Sequence, residues 1–201
     1  MLIIGLTGSI GMGKSTTSQM FRDFGIPVHD ADATVHALYA GIAVPMVEAA
    51  FPGTAHEGRI DRARLAERVL GNPLALQRLE TLIHPLVAKS RHQFLAGCSA
   101  RATRMALLDI PLLFETGCEA EVDLIVVVTA ADFVQRQRVM SRSGMTEDRF
   151  AQIVQKQVPD MQKRRRAHAI IRTDQGLDAA RRHVQSLIRS CVGMAGRVWH
   201  A

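Results

Sequence analysis

Residues Gly8-Ser9-Ile10-Gly11-Met12-Gly13-Lys14-Ser15 read G-x-x-x-x-G-K-S, and the segments on either side decide what that run is. Ahead of it, Leu2-Ile3-Ile4-Gly5-Leu6 is a short apolar run rich in strand formers. Behind it, Ser15 to Phe24 reads as a helix, with Met20, Phe21 and Phe24 at helical spacing. Strand, glycine-rich turn and helix in that order make a phosphate-cradling P-loop. The glycines let successive backbone N–H groups turn inward around an anion, and the helix N-terminus adds partial positive charge. Lys14 is then placed to reach the β- and γ-phosphates, and the Ser15 hydroxyl to take a position on Mg²⁺. A glycine-rich turn that merely caps a helix is the bland alternative, but it leaves the Lys-Ser pair and the preceding strand unexplained. A nucleoside triphosphate, with ATP and Mg²⁺ as the expected pair, is the ligand this stretch predicts.

Working outward, strand–helix alternation sets the fold class. Gly25 to Asp30 is a brief strand ending in an acid, Met105 to Ile110 a continuous apolar run, Val122 to Thr129 the strongest strand pattern, and Ala169-Ile170-Ile171 a short last one. Helical patterns over 14–24, 131–143, 147–157 and 177–190 fall between or after them. The expectation is an α/β protein, a three-layer P-loop fold with a mainly parallel sheet. Residues 31–97 differ: they carry no convincing strand and four helical patterns, at 31–40, 44–51, 61–70 and 74–95, with Asp61 as the N-cap of the third. That interval is expected to be a helical insertion that grips a second substrate, between core segments 1–30 and 98–201, with a lid at about 138–165. The whole is expected to be one folded unit.

Bulk composition narrows the function class. A 47% hydrophobic fraction with 22% charged residues is ordinary for a globular chain, so disorder is not expected. Aromatic residues make up only 4%, which argues against stacking platforms for single-stranded nucleic acid. No apolar stretch approaches the roughly 20 residues of a membrane span, and no leader pattern precedes the first strand, so a cytoplasmic protein is expected. Cys98, Cys118 and Cys191 are odd in number and widely spaced, which predicts free thiols. The net charge of +6 is concentrated in residues 131–189, which hold 13 Lys and Arg against 6 Asp and Glu. A nucleic-acid patch would explain that surplus. A lid closing over polyphosphate explains it better beside a P-loop.

Several side chains are candidates for chemistry. Asp30 and Asp32 follow the second strand; one is expected to cap the next helix and the other to take a hydroxyl proton, and we assign the cap to Asp30 and catalysis to Asp32. Asp109 ends an apolar strand, either as a carboxylate orienting Mg²⁺ or as a buried ion-pair partner. Leu112 and Leu113, in the following Pro111-to-Glu115 loop, either line an acceptor pocket or belong to the core. Arg138 and Arg142 are expected on one helix face, four residues apart, beside the phosphates. The run Lys163-Arg164-Arg165-Arg166 reads as solvated surface. Pro85 is expected to break the 74–95 helix and, with His84, to present that break to the substrate.

Taken together, Gly5 to Thr16, Asp30-Ala31-Asp32, Leu82-Ile83-His84-Pro85-Leu86, Asp109-Ile110-Pro111-Leu112-Leu113-Phe114-Glu115, and Gln135 with Arg138 and Arg142 resemble the dephospho-CoA kinase family, in family order from residue 2 to about 178. The resemblance implies ATP-dependent phosphorylation of the 3′-hydroxyl of dephospho-CoA, on a five-stranded parallel core with a helical acceptor domain and a lid. It implies that Gly11, Met12, Gly13, Lys14, Ser15 and Thr16 bind ATP phosphates with Arg142 nearby, that Lys14, Asp32 and Arg138 are catalytic, and that Ser15 and Asp109 hold Mg²⁺. Asp32, His84, Pro85, Leu112 and Leu113 would meet the acceptor. Dephospho-CoA is then the expected partner of a monomer or weak homo-oligomer, with no nucleic acid and no membrane. Two departures stand out: Ala167-His168 where the family has Ala-Asp, and Arg172-Thr173 where it has Asp-Asn. They imply backbone rather than side-chain recognition of the adenine, with looser selectivity over guanine. The competing readings are another small-molecule P-loop kinase, acting on a nucleoside, nucleotide or shikimate, and a nucleic-acid-dependent ATPase. No Asn-Lys-x-Asp guanine motif supports a GTPase switch.

Overall fold

A computed structural model describes residues 1–199; His200 and Ala201, the end of the tail, lie outside the described residues. The chain divides into two compact units, one made of residues 1–29 with the chain from Gly97 onward, the other of Asp30–Ala96.

The first unit is built on a five-stranded sheet. Its strands are β1 (Leu2–Thr7), β2 (Val28–Asp30), β5 (Met105–Asp109), β6 (Leu124–Thr129) and β7 (Ala169–Arg172), in the order β2-β5-β1-β6-β7. β1 runs parallel to both β5 and β6, and β6 parallel to β7. The expected α/β class with a parallel five-stranded sheet is therefore what the chain adopts. Every residue of β1, β5 and β6 is buried, which is why these strands are unbroken apolar runs rather than alternating ones. Leu2, Ile4 and Leu6 of β1 pack with Met20 and Phe21 of α1 (Lys14–Asp23) and with Ala180, Val184 and Cys191 of α9 (Leu177–Cys191). Strand order reverses at the centre: from β1 the chain winds out to the β2 side, and from β6 to the β7 side. Ligands of open α/β sheets bind beyond the carboxyl ends of strands at such a point. The three cysteines are unpaired, as expected, and burial pushes the Cys98 and Cys191 thiols above their ordinary range.

Around the sheet lie α6 (Asp132–Met140), α7 (Glu147–Gln155) and α8 (Asp160–Arg166), with a 3₁₀ turn at Cys118–Glu121. Asp123 gathers the start and the tail of the chain: its carboxylate accepts the N–H of Ile3 at 2.8 Å and those of Arg197 and Val198 at 2.5 and 2.9 Å.

The second unit contains α2 (Ala31–Leu38), α3 (Val44–Ala50), α4 (Arg62–Val69) and most of α5 (Pro73–Ala100). Leu38, Val47, Phe51, Leu65, Leu79 and Ile83 form its core. Asp61 caps α4 by accepting the Ala63 and Arg64 N–H groups, as its position predicted. Two expectations fail here. The unit does contain strands, the short antiparallel pair β3 (Ala55–His56) and β4 (Arg59–Ile60), joined at Glu57-Gly58, where both residues have positive φ. Two-residue strands have no periodicity to read, and only Gly58 signals the turn. The other is Pro85, which does not break its helix: α5 runs through it without interruption. The lost N–H removes one ladder bond. Buried Leu79 and Ile83 before it, with Leu86 and Val87 packed on the same core after it, keep the helix continuous through the gap.

Candidate active site

The P-loop leaves β1 at Thr7 and enters α1 at Lys14. Each of its glycines is needed for close approach. A Cβ on Gly8 would stand 2.7 Å from the Val128 carbonyl, and one on Gly11 2.5 Å from Val139 Cγ2. Gly13, with φ 93°, is the N-cap of α1, and a Cβ there would meet Thr173 Oγ1 at 3.0 Å. The first turn of α1 carries no acidic residue, so its N–H groups and dipole are open to an anion. Ser15 and Thr16 are exposed in that turn.

Lys14 Nζ bonds Asp109 Oδ1 at 2.5 Å, with the carboxylate almost fully buried at the end of β5. The buried ion-pair reading of Asp109 is what the structure shows, and its partner is the P-loop lysine itself. The loop is further held by three side chains. Gln135 Nε2 donates to the Ile10 carbonyl at 2.8 Å, Gln157 Oε1 accepts the Ile10 N–H at 3.1 Å, and Thr173 Oγ1 donates to the Met12 carbonyl at 2.7 Å.

Arg138 is brought to this cluster: Nη1 donates to Thr173 Oγ1 and Nη2 to the Thr173 carbonyl, both at 2.8 Å. Arg142 is not on the same helix face, contrary to the four-residue spacing. α6 ends at Met140, the Ser141 hydroxyl bonds back to the Arg138 carbonyl, and the chain turns toward Gly144, leaving Arg142 exposed beyond the helix. Arg136 pairs with Glu147 across that turn at 2.5 Å, joining α6 to α7.

The Pro111–Glu115 loop is anchored at both ends. Thr7 Oγ1 donates to the Pro111 carbonyl at 3.0 Å, and Glu115 pairs with Lys163 Nζ at 2.8 Å. Leu113 is fully buried and lies 2.8 Å from where a Gly5 Cβ would stand, so it belongs to the core; Leu112 is exposed. Lys163 corrects the reading of the basic run as solvated surface. It is fully buried in α8, while Arg166, half-exposed, pairs with Glu119 and lies 4.4 Å from the Phe114 ring centre. Burial pushes the Glu115 carboxyl up, but the Lys163 ammonium and the Val158 N–H outweigh it and hold it below its ordinary 4.5. A carboxylate depressed in the folded state contributes stability that is present at neutral pH and lost as pH falls through the carboxylate range. Thermal melting from roughly pH 7 down to pH 3.5 should therefore show an acid limb that Glu115→Gln flattens, with the variant less stable than the parent at neutral pH.

In the second unit, Asp30 caps α2 by accepting the Ala33 N–H at 3.0 Å, as assigned, and Asp32 is exposed in the first turn of the same helix. His84 and Pro85 are exposed on α5. Sequence reasoning passed over Gln157 and the inward role of Thr173. Gln157 follows the end of α7 with no pattern to mark it, and Thr173 drew notice only as a departure from the family.

A parallel sheet with a glycine cradle at its point of reversal, a helix N-terminus behind it and a buried lysine–aspartate pair defines a P-loop kinase fold. The relatives narrow that class. A family model described as dephospho-CoA kinase matches residues 2–179. The dephospho-CoA kinase of Mesorhizobium japonicum is 57% identical over 196 residues, covering 98% of this chain and all of that one. The enzyme of the same name from Rhizobium meliloti is 52% identical over 188 residues, covering 94% and 97%. A crystal structure from Thermus thermophilus superposes with a TM-score of 0.82 at 33% identity, covering 94% of this chain and 97% of the other. The dephospho-CoA kinase from Campylobacter jejuni shares the fold, with a TM-score of 0.65 at 22% identity and 94% and 96% coverage. The chain belongs to the dephospho-CoA kinase family.

Proposed function

We propose that this chain transfers the γ-phosphoryl group of ATP to the 3′-hydroxyl of dephospho-CoA, giving coenzyme A and ADP. Membership of the family, together with an intact phosphate cradle, is the observation that carries the reading. In the reaction a P–O bond forms to the 3′-oxygen, the bond to the leaving ADP breaks, and the hydroxyl proton passes to Asp32. Loop N–H groups and the first turn of α1 take the phosphates, and Lys14 exchanges its bond to Asp109 for one to the transferring group. Arg138, fixed on Thr173, adds positive charge at the same cradle. Leu112, His84 and Pro85, all exposed, are assigned to the acceptor; Leu113 is not.

The residues fit Mg²⁺. A hydroxyl at Ser15 and a carboxylate at Asp109, on either side of Lys14, are hard oxygen donors of the kind that hold this ion with phosphate oxygens and water completing its shell. When bound, the ion neutralises charge on the phosphates and fixes their geometry. Among the described residues no helix is long and apolar enough to cross a membrane. The chain is taken to work in the cytoplasm, on a small-molecule substrate and without nucleic acid, as a monomer or weak homo-oligomer.

The test is ADP release from MgATP with each acceptor supplied alone. Dephospho-CoA should stimulate release strongly, and nucleosides, shikimate and single-stranded nucleic acid should not. Stimulation by nucleic acid in place of dephospho-CoA would sink the reading.

A further inference from the structure

Two carbonyls of the P-loop, those of Ile10 and Met12, are each gripped by a side chain, Gln135 and Thr173. In a trans peptide the carbonyl and the following N–H point in opposite directions. Pinning the carbonyls of Ile10 and Met12 therefore turns the N–H groups of Gly11 and Gly13 away from Gln135 and Thr173. Both glycines have positive φ, 78° and 93°, in a region where glycine rotates at little cost. Their own backbone does not hold these peptides, so the side chains must.

Thr173 suits the task. It is buried, and its N–H is bonded to the Thr129 carbonyl at 3.0 Å, which fixes the backbone from which the hydroxyl projects. Of the two carbonyls its proton can reach, that of Met12 at 2.7 Å is far nearer than that of Thr129 at 3.4 Å. Arg138 Nη1 can only donate, so the hydroxyl oxygen accepts from it at 2.8 Å and the hydroxyl hydrogen goes to the Met12 carbonyl at 2.7 Å. Arg138 Nη2 on the Thr173 carbonyl makes the grip two-pronged.

We propose that Thr173 is a positioning residue for nucleotide binding: its hydroxyl, oriented by Arg138, locks the Met12–Gly13 peptide with the Gly13 N–H turned to the triphosphate. The proposal rests on the reading that this loop holds a nucleoside triphosphate. It gives the threonine a task at the phosphates, in a place where the family's asparagine was expected to bear on the adenine. A serine performs the same task, whereas an isosteric valine neither accepts from Arg138 nor donates to Met12.

Thr173→Val and Thr173→Ser should be compared with the parent by calorimetric titration with ADP and with inorganic tripolyphosphate, and by steady-state assay with each substrate varied. Thr173→Val should bind both phosphate ligands about tenfold more weakly and raise KM for ATP to match. KM for dephospho-CoA should stay within about twofold, as should every constant of Thr173→Ser. A purely structural threonine would not split the two KM values in this way. The proposal is overturned if Thr173→Val binds tripolyphosphate as the parent does, or if only ADP binding weakens, which would place Thr173 at the base. If Thr173→Val does not fold, Thr173→Ala, which removes bulk rather than adding any, carries the same comparison. Should no protein in the series phosphorylate dephospho-CoA, the functional reading fails while the titrations still decide the role of Thr173.

Discussion

Lys14→Ala is expected to lower turnover on the order of 10³-fold. On the proposed reading the lysine reaches the transferring group itself, while Arg138 is held back on Thr173. A second consequence is expected in stability. Asp109 is 1% exposed and loses its ammonium partner at 2.5 Å, and removing one member of a buried pair costs about 3–5 kcal/mol. The double variant Lys14→Met with Asp109→Asn separates the two roles. Its melting temperature should recover toward the parent's while turnover stays at or below the single variant's level. Recovery of turnover in the double variant would remove Lys14 from the chemistry.

Asp32→Asn is the second large effect, with turnover down about 10²- to 10⁴-fold, the range that general-base catalysis supplies. Structure gives this substitution an unusually clean background. Asp30, not Asp32, caps α2, and Asp32 is exposed in the first turn, where its charge contributes only about 0.3–1 kcal/mol through the helix dipole. Folding should be nearly unchanged, and ATP affinity, measured by titration, should stay within about twofold. An Asp32→Asn protein with near-parent turnover would mean that the hydroxyl proton leaves by another route.

The sheet was legible because its central strands are buried on both faces, so Val126-Val127-Val128 and Leu107-Leu108 needed no alternation to be recognised. The cradle was legible because anion binding by backbone restricts side chains so tightly that the glycines appear in the sequence. What failed to show was anything resting on tertiary contact. Lys163 reads as one of four solvated cations until Glu115, 48 positions earlier in the chain, comes to meet it. The continuity of α5 through Pro85 depends on packing that outweighs a local rule, and the end of α6 before Arg142 on a turn that helical spacing ignores. Thr173 was noticed for its departure from the family, yet its partners Met12 and Arg138 lie 161 and 35 residues away along the chain. No local pattern joins them.

Gln157 and Val158 are neighbours in sequence but hold different parts of the molecule. The Gln157 side chain receives the Ile10 N–H of the phosphate cradle, while the Val158 N–H is received by Glu115, the last residue of the loop that exposes Leu112. The two loops therefore hang from a single peg, and buried Lys163 fastens the Glu115 end of the second. A shift of either loop has to be absorbed at the same two adjacent residues, so a displacement of the phosphate cradle is passed to the Pro111–Glu115 loop through a single peptide.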